Sequence, residues 1–389
     1  MEMKQCADFL NSASEEVLGV SDLVKEDLSN VADIGTAVFN ANSFDHYVKA
    51  LVDRIGKTVF VTRKYRGRVP SVVMDGFEFG AVLCKLQCEL PEATENESWE
   101  LEAGTSYDPN VFTPPVVTTH FWNKRCTFQV KLSITSKQFL TGVSNANEAN
   151  AFIAMIYNAI DNSMTIKMDA LIMKAIANMI GETVYDDFGA NAITGGSHVK
   201  AVNALYLYNQ FVGADNAISA DEMCKTPEFI RFTVNLMTMY KDRLASESTL
   251  FNIDGKARFT PDDRLHFVVL SEFASGAKAY LQSDTYHKEL VALPDHEIVP
   301  YWQGSGQSYS FTDTGKIYVT TDSGHDVTVT GILGVMFDSD AVAVMNVDRR
   351  TTSMFNPRAE FTNVWYKMDG QYVNSCQENF VVFYGAVAS

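Results

Sequence analysis

The feature that most constrains this chain is the segment 145–181, NANEANAFIAMIYNAIDNSMTIKMDALIMKAIANMIG. Its apolar residues recur at spacings of three and four over about ten turns, the pattern of a long helix with one buried face. Asn145 and Glu148 resemble a capping box, and Gly181 suits the position that follows a helix. We therefore predict one helix over 145–181, about 50 Å long at 1.5 Å per residue.

The segment before this helix, 57–134, has the pattern of two long strand regions joined by a loose tip. Apolar and polar residues alternate on both sides, whereas 91–115 is rich in turn formers and shows no period. An isolated two-stranded ribbon is marginal in water, so we expect this one to lie on a neighbouring copy of the chain. A solvated hairpin within one domain is the alternative.

The charges of this ribbon are divided between its two ends. We predict that a basic stem meets acidic residues of a neighbour and that an acidic tip meets a basic patch. The stem residues are Arg63, Lys64, Arg66 and Arg68. The tip residues are Glu95, Glu97, Glu100 and Glu102.

The remaining chain predicts shorter elements. An amphipathic helix is expected over 43–55, and a mixed α/β domain follows residue 190, with helices starting near Ser197 and at Thr226. Strong alternation near the end of the chain predicts two strands, with turns near Met368–Gly370 and Ser375–Glu378.

The overall charge restricts the class of partner. The formal net charge is −17, which weighs against a protein that coats nucleic acid, but not against a container that encloses DNA without adhering to it. The N-terminus lacks the apolar core of a signal peptide, and no uninterrupted apolar run reaches about 18 residues. We expect no membrane contact and production in the cytoplasm.

The cysteines predict no disulfide and no zinc site. Cys84 and Cys88 are the one close pair; on a strand they would face the same side about 13 Å apart, too far to bridge. Further ligands at short spacing are missing. We interpret the cysteines as reduced, buried thiols.

Several short motifs could carry chemistry, and each has a simpler structural interpretation. TGGSHVK (194–200) lacks the spacing of a phosphate loop, and WQGSGQS (302–308) lacks that of a nucleophile elbow. Asp322, His325 and Asp326 could ligate a cation but lie where a turn is expected. Asp338 and Asp340 could form an acid/base pair or a strand-end turn, and we favour the turn. We predict no catalytic residue, no metal site and no cofactor.

Three segments add a family resemblance: VKALVDRIGKTVF (48–60), FWNKRCTFQVKLSITSKQF (121–139) and DSDAVAVMNVDRRTTSMFNPRAEFTNVWYK (338–367). Together with the order of elements, they resemble the major capsid proteins of tailed double-stranded DNA bacteriophages, especially the head proteins of small short-tailed phages. The resemblance implies an α+β fold of the Hong Kong 97 type. Some relatives cross-link a lysine to an asparagine, and Lys64 lies in the corresponding region.

The resemblance also implies a set of parts and partners. The expected partners are copies of the chain in hexameric and pentameric capsomers, with portal, scaffolding and decoration proteins as further candidates. Two rival functions stay open: another virion or sheath-like structural protein, and a soluble α/β enzyme with its site in 190–350. The expected parts are an N-terminal arm (1–50), an extended loop or E-loop with its stem (51–135), a P-domain with the spine helix (136–190), a mixed α/β A-domain (191–345) and the returning P-domain strands (346–389).

Overall fold

The structure, a computed structural model, describes residues 11, 68–74, 83–91, 93–110, 112–122, 125–135, 146–189, 196–283, 293–303 and 314–386. The chain divides into two compact units. Unit 1 comprises Met1–Glu78, Arg125–Ile172 and Val344–Gln371, and unit 2 comprises Phe79–Lys124, Met173–Ala343 and Tyr372–Ser389. Within the described ranges, no helix is long and apolar enough to cross a membrane.

The described α-helices lie between residues 146 and 283, interspersed with strands, and strands follow them to the end of the described chain. The helices are α1 (Ala146–Phe188), α2 (Ala204–Val212), α3 (Pro227–Ala245) and α4 (Ser271–Ser283). The strands are β1 (Val73–Met74), β2 (Leu83–Cys88), β3 (Val117–Trp122), β4 (Arg125–Thr135), β5 (Ala201–Asn203), β6 (Leu265–Leu270), β7 (Glu297–Val299), β8 (Ile317–Thr320), β9 (Asp326–Val329), β10 (Ile332–Asp338), β11 (Val342–Asn356), β12 (Phe361–Asn374) and β13 (Phe380–Tyr384).

Unit 1 is built on a four-stranded sheet in the order β1-β11-β12-β4. β12 runs antiparallel to β4 in an unbroken register from Phe361↔Thr135 to Gln371↔Arg125. Where β4 is described in full, every second residue is exposed and the residues between are partly buried, as the two-residue period of a strand requires. Strand β4 therefore turns one polar face towards solvent.

The turn predicted at Met368–Gly370 is wrong, because β12 continues through it to Asn374. Gly370 pairs with Cys126 on β4, and a Cβ atom on it would lie 2.9 Å from Leu171 Cδ2 of α1. The glycine permits close approach of helix and strand instead of a chain reversal. The second predicted turn is confirmed, because β12 ends at Asn374 and a turn over 376–378 leads into β13.

The long helix is confirmed, but its predicted end is wrong. α1 continues past Gly181 to Phe188, and Gly189, with φ of 70°, is the residue that follows it. Gly181 is instead a contact residue: a Cβ atom there would lie 2.8 Å from Val319 Cγ1 and 2.9 Å from Thr321 Cγ2. A left-handed C-terminal glycine and a close-contact glycine give the same signal in the sequence.

Unit 2 contains a five-stranded sheet in the order β5-β13-β10-β6-β7. All residues of β10 and β13 are buried, as expected for central strands covered on both faces. The helices α2, α3 and α4 contribute to one apolar core with the sheet, in which Phe229, Phe273 and Phe383 are fully buried. The mixed helix-and-strand texture predicted after residue 190 is confirmed.

The predicted helix start near Ser197 is wrong. β5 comes first, and α2 begins after Asn203, whose side chain accepts a hydrogen bond from the Tyr206 amide. Ser197 stabilises this start indirectly, because its hydroxyl oxygen accepts from the Asn203 amide at 3.1 Å. The start of α3 after Thr226, with Pro227 in its first turn, is confirmed.

Several predicted features lie outside the described residues. They are the N-terminal arm (1–50), the helix 43–55, Arg63, Lys64 and Arg66, and most of the motif at 302–308.

Candidate assembly surfaces

The predicted ribbon is present in unit 2 as β2 paired antiparallel with β3, from Leu83↔Trp122 to Cys88↔Val117. Side chains alternate between two faces, and the two faces differ sharply. The outward face is exposed and mainly apolar, and Leu86 and Phe121 on it are 70% and 67% exposed. We define it as Cys84, Leu86, Cys88, Val117, Thr119 and Phe121.

The cysteine prediction is wrong for this pair. Cys84 and Cys88 are free, as predicted, and lie on one face of β2, but both are exposed instead of buried. The structure places them beside large exposed apolar side chains on the outward face. Their burial would therefore require a surface from outside the described part of the chain.

The tip of the ribbon, residues 89–116, is mostly irregular and exposed. It contains no lysine or arginine, whereas Glu95, Glu100 and Glu102 are exposed carboxylates. Glu97 begins a single 3-10 turn, and its side chain lies outside the described residues. The acidic tip predicted from the sequence is thus a solvent-facing surface.

Sequence reasoning missed the aromatic component of this tip. Trp99 is 95% exposed and Phe112 is 86% exposed, although large aromatic side chains usually contribute to cores or interfaces. Aromatic residues in a turn-rich segment that cannot form a core are the signal that would have indicated an interface.

The inward face of the ribbon carries polar side chains that contact the body of unit 2. Lys85 Nζ donates to Glu378 Oε1 at 2.7 Å and lies 3.5 Å from Asp340 Oδ2. Gln87 Nε2 donates to the same Glu378 oxygen at 2.8 Å. Glu378 is buried in the turn between β12 and β13, and the guanidinium of Arg258 lies 4.0 Å from its other oxygen.

Both strands of the ribbon take part in this attachment. On β3, Trp122 Nε1 donates to the Asn374 carbonyl at 3.2 Å. Just beyond β2, the carboxylate of Glu89 forms an ion pair with Lys256. The ribbon is therefore held along its length by its polar face, which leaves the apolar face outward.

Of the predicted basic stem, only Arg68 lies within the described residues. Its Nε donates to Asp169 Oδ2 on α1 at 2.5 Å, and its backbone amide donates to Asp169 Oδ1 at 3.0 Å. This pair lies inside unit 1. Contacts of the stem with a neighbouring copy stay a prediction.

The paired carboxylates Asp338 and Asp340 lie at a strand-end turn, as we favoured. Asp338 Oδ1 accepts from the Asp340 amide at 2.9 Å, and Oδ2 accepts from the Thr260 hydroxyl at 2.9 Å. Burial raises the pKa of the Asp338 carboxyl above its ordinary value, and the negative charges of Glu378 and Asp340 act in the same direction. Asp340 pairs with Arg264 at 2.6 Å.

The segment with Asp322, His325 and Asp326 is also a turn, between β8 and β9. The Thr321 amide donates to the His325 carbonyl at 2.8 Å, and Asp326 Oδ1 accepts from the Thr320 hydroxyl. The His325 ring stacks on Tyr185 with centroids 3.7 Å apart. Within the described ranges, no group of three or more potential ligands could hold a metal ion.

An open groove of about 770 Å³ lies between α2 and α3 in unit 2 and could be compared with an enzyme cleft. Its lining is largely apolar and includes Phe211 and Phe232. The titratable side chains in the lining are His198, Tyr240 and Arg243. Among the described residues, no carboxylate lines this groove. The described lining therefore offers no carboxylate to orient a histidine base.

Comparison with known families decides between the structural and catalytic interpretations. A family model for the Phi29-like phage major capsid protein matches residues 7–384. The chain belongs to this family. No curated protein sequence matches it.

Solved structures show that the fold of this capsid protein is shared beyond sequence similarity. A chain from the capsid structure of Staphylococcus phage Andhra is 9% identical, with a TM-score of 0.51, over 84% of this chain and 86% of that one. A chain from the structure of head fiber and inner core protein gp22 of native bacteriophage P68 is 8% identical, with a TM-score of 0.50, over the same shares. The predicted α+β, Hong Kong 97-type fold is confirmed.

The family also settles the broad function. The chain is a phage major capsid protein and a virion component, and its family is one of structural proteins instead of enzymes. The capsid resemblance inferred from the three segments is confirmed. The ribbon, the acidic tip and the sheet are therefore surfaces of a subunit that assembles with copies of itself.

Proposed function

We propose that this capsid protein forms the icosahedral head shell around a double-stranded DNA phage genome, in hexameric and pentameric capsomers joined by the ribbon. The observation that carries the proposal is the outward face of the ribbon, which continues into a tip with exposed Trp99 and Phe112. Contiguous apolar surface of this kind indicates a protein partner. Since the family assembles from identical subunits, the partner is another copy.

The energetics favour many modest contacts over one strong site. Burying a large apolar side chain contributes about 1.5–3 kcal/mol, so Leu86, Trp99 and Phe121 can together stabilise one contact substantially. A closed shell repeats each contact in every subunit, and repeated heterologous contacts that close into rings generate capsomers. Interfaces of this permanent kind are typically rich in apolar and aromatic anchors.

Complementary charges on neighbouring subunits should fix how the subunits are oriented in the shell. The acidic tip should meet a basic patch of a neighbour, and the stem residues Arg63, Lys64 and Arg66 should meet acidic ones, because complementary charges fix register and suppress wrong pairings. A net charge of −17 suits a shell that encloses DNA without trapping it and without sequence-specific binding. Assembly in the host cytoplasm, with portal, scaffolding and decoration proteins as partners, completes the proposal.

Charge reversal at the tip tests this function. We expect Glu100→Lys with Glu102→Lys to leave the subunit folded, since both side chains are exposed, and to prevent closed shells. The matched control is Asp242→Lys with Glu247→Lys, two exposed carboxylates of unit 2 outside the ribbon, which changes the net charge equally. Electron microscopy of particles is the measurement. Normal shells from the tip variant would remove the tip from the proposed interface.

A further inference from the structure

The two faces of the ribbon have different chemistry, and in the part of the chain that the structure describes only the inward face contacts its own unit. On β2, Lys85 and Gln87 point inward and Leu86 points outward. Because side chains alternate strictly along a strand, holding the inward face fixes which way the outward face points. The direction of the ribbon is therefore set by whatever binds its inward side chains.

Glu378 is the common acceptor on that side. One of its carboxylate oxygens receives hydrogen bonds from both Lys85 and Gln87, at 2.7 and 2.8 Å. Only 5% of the residue is exposed, so its charge is largely removed from water. Departure of the ribbon would leave this buried carboxylate with the more distant Arg258, 4.0 Å away, as its remaining described cation, so departure is opposed.

The polar network between the ribbon and the body of unit 2 around Glu378 nevertheless contains buried atoms without hydrogen-bond partners among the described residues. Gln87 Oε1, Arg258 Nη2 and the side-chain amide of Asn374 are buried without a hydrogen-bond partner within the described residues. A partly satisfied polar network tolerates the loss of a member poorly. A single substitution at Lys85 or Glu378 is therefore expected to loosen the ribbon while the apolar core of the unit stays intact.

We propose that Glu378 is a positioning residue for shell assembly: by holding Lys85 and Gln87 it fixes the ribbon so that its apolar outward face is presented to the neighbouring copy. This inference rests on the proposed function. The contact with the neighbour is made by the outward face and tip, and Glu378 acts through the ribbon without touching the neighbour. Without the Glu378 contacts, the described attachments that remain are Trp122 with Asn374 and Glu89 with Lys256. The ribbon then samples a wider range of directions and presents the outward face correctly less often.

The test separates positioning from folding. Lys85→Met removes the cation while retaining a long side chain, Lys85→Arg restores it, and Lys278→Met is a control that removes an exposed lysine elsewhere in unit 2. Spin labels at Cys88 and at Glu247→Cys, with the remaining cysteines replaced by alanine, report the ribbon direction in the unassembled subunit. We expect a narrow distance distribution for the unsubstituted, Lys85→Arg and Lys278→Met subunits, and a broad one for Lys85→Met.

Assembly is then measured on the same variants by light scattering and electron microscopy. We expect Lys85→Met and Glu378→Gln to slow shell formation by about tenfold or more, because tenfold corresponds to the smallest free-energy loss typical of removing one hydrogen bond to a charged group. The circular dichroism of both variants should be unchanged. A narrow distribution in Lys85→Met would overturn the role of Glu378. A broad distribution with normal assembly would overturn the positioning role but leave the proposed function standing. Failure of the unsubstituted protein to form shells under any condition would instead refute the proposed function itself.

Discussion

Gly181→Ala tests the packing of α1 against β8 and its following residue. In an exposed helix interior, this change stabilises a protein by about 1 kcal/mol, because alanine is the better helix former. Here the new Cβ atom would lie 2.8 Å from Val319 Cγ1 and 2.9 Å from Thr321 Cγ2, closer than carbon atoms approach without displacement. Overpacking of this kind costs about 1–3 kcal/mol, so we expect net destabilisation of roughly 1 kcal/mol.

The effect of Gly181→Ala on the free energy of unfolding should change sign when the obstructing side chains are made smaller. Val319→Ala with Thr321→Ser removes both obstructing methyl groups, and serine retains the hydroxyl that accepts from the His325 amide at 3.1 Å. In this background, Gly181→Ala should stabilise the subunit by up to about 1 kcal/mol, the helix-propensity gain. The measurement is the free energy of unfolding of the unassembled subunit in urea, followed by circular dichroism.

Gly189 provides the matched control for a glycine that ends a helix. It has φ of 70° and open space around its Cβ position, so Gly189→Asn should be better tolerated than Gly189→Ala. At Gly181 asparagine should be worse than alanine, because it is larger. Stabilisation of the unaltered subunit by Gly181→Ala would refute the close-contact explanation.

Three further predictions concern charge and surface. Arg350→Met should destabilise unit 1 by up to about 1 kcal/mol, because Arg350 Nη1 donates to Asp369 Oδ2 at 2.6 Å from a half-exposed position. Burial favours a raised pKa for Asp369, but the hydrogen bonds from Thr127 and Arg350 outweigh it and hold that pKa below its usual range. The stabilisation should therefore fade as pH falls, which urea titrations across pH would show. Burial raises the pKa of Asp338, so the folded state keeps a proton that the unfolded chain releases. The free energy of unfolding should therefore fall as pH rises from about 4 through the raised pKa. Asp338→Asn should flatten this dependence on pH, and an unchanged slope in the variant would contradict the explanation. Trp99→Ser should change subunit stability by less than about 0.5 kcal/mol, since the side chain is 95% exposed, yet weaken assembly, which sedimentation of particles against free subunits would detect.

Local periodicity predicted the main elements well because helices and strands impose their own spacing on the sequence. The pattern over 145–181 predicted α1, and the alternation near the end predicted β12 and β13. Two of the errors occurred where a glycine has two possible uses. Gly181 and Gly370 allow close contact with residues distant in the chain, and no local pattern distinguishes that from a helix end or a turn.

The candidate surfaces were predictable only in part. The acidic tip was evident because charge does not depend on folding, and its exposure follows from its lack of apolar periodicity. The attachment of the ribbon was not, because Lys85 and Glu378 are 293 residues apart in the sequence. The same limit explains the exposed Cys84 and Cys88: alternation placed them on one face, but only the tertiary contacts of Lys85 and Gln87 determine which face is buried.

The most direct test of the account is electron cryomicroscopy of the particles that this protein forms. We predict closed icosahedral shells of hexameric and pentameric capsomers, in which the outward face of the ribbon and its tip, residues 83–122, lie against a neighbouring subunit. Tubes, or soluble monomers or dimers at concentrations that support phage assembly, would contradict the shell. Shells in which Leu86, Trp99 and Phe121 face solvent would contradict the role of the ribbon.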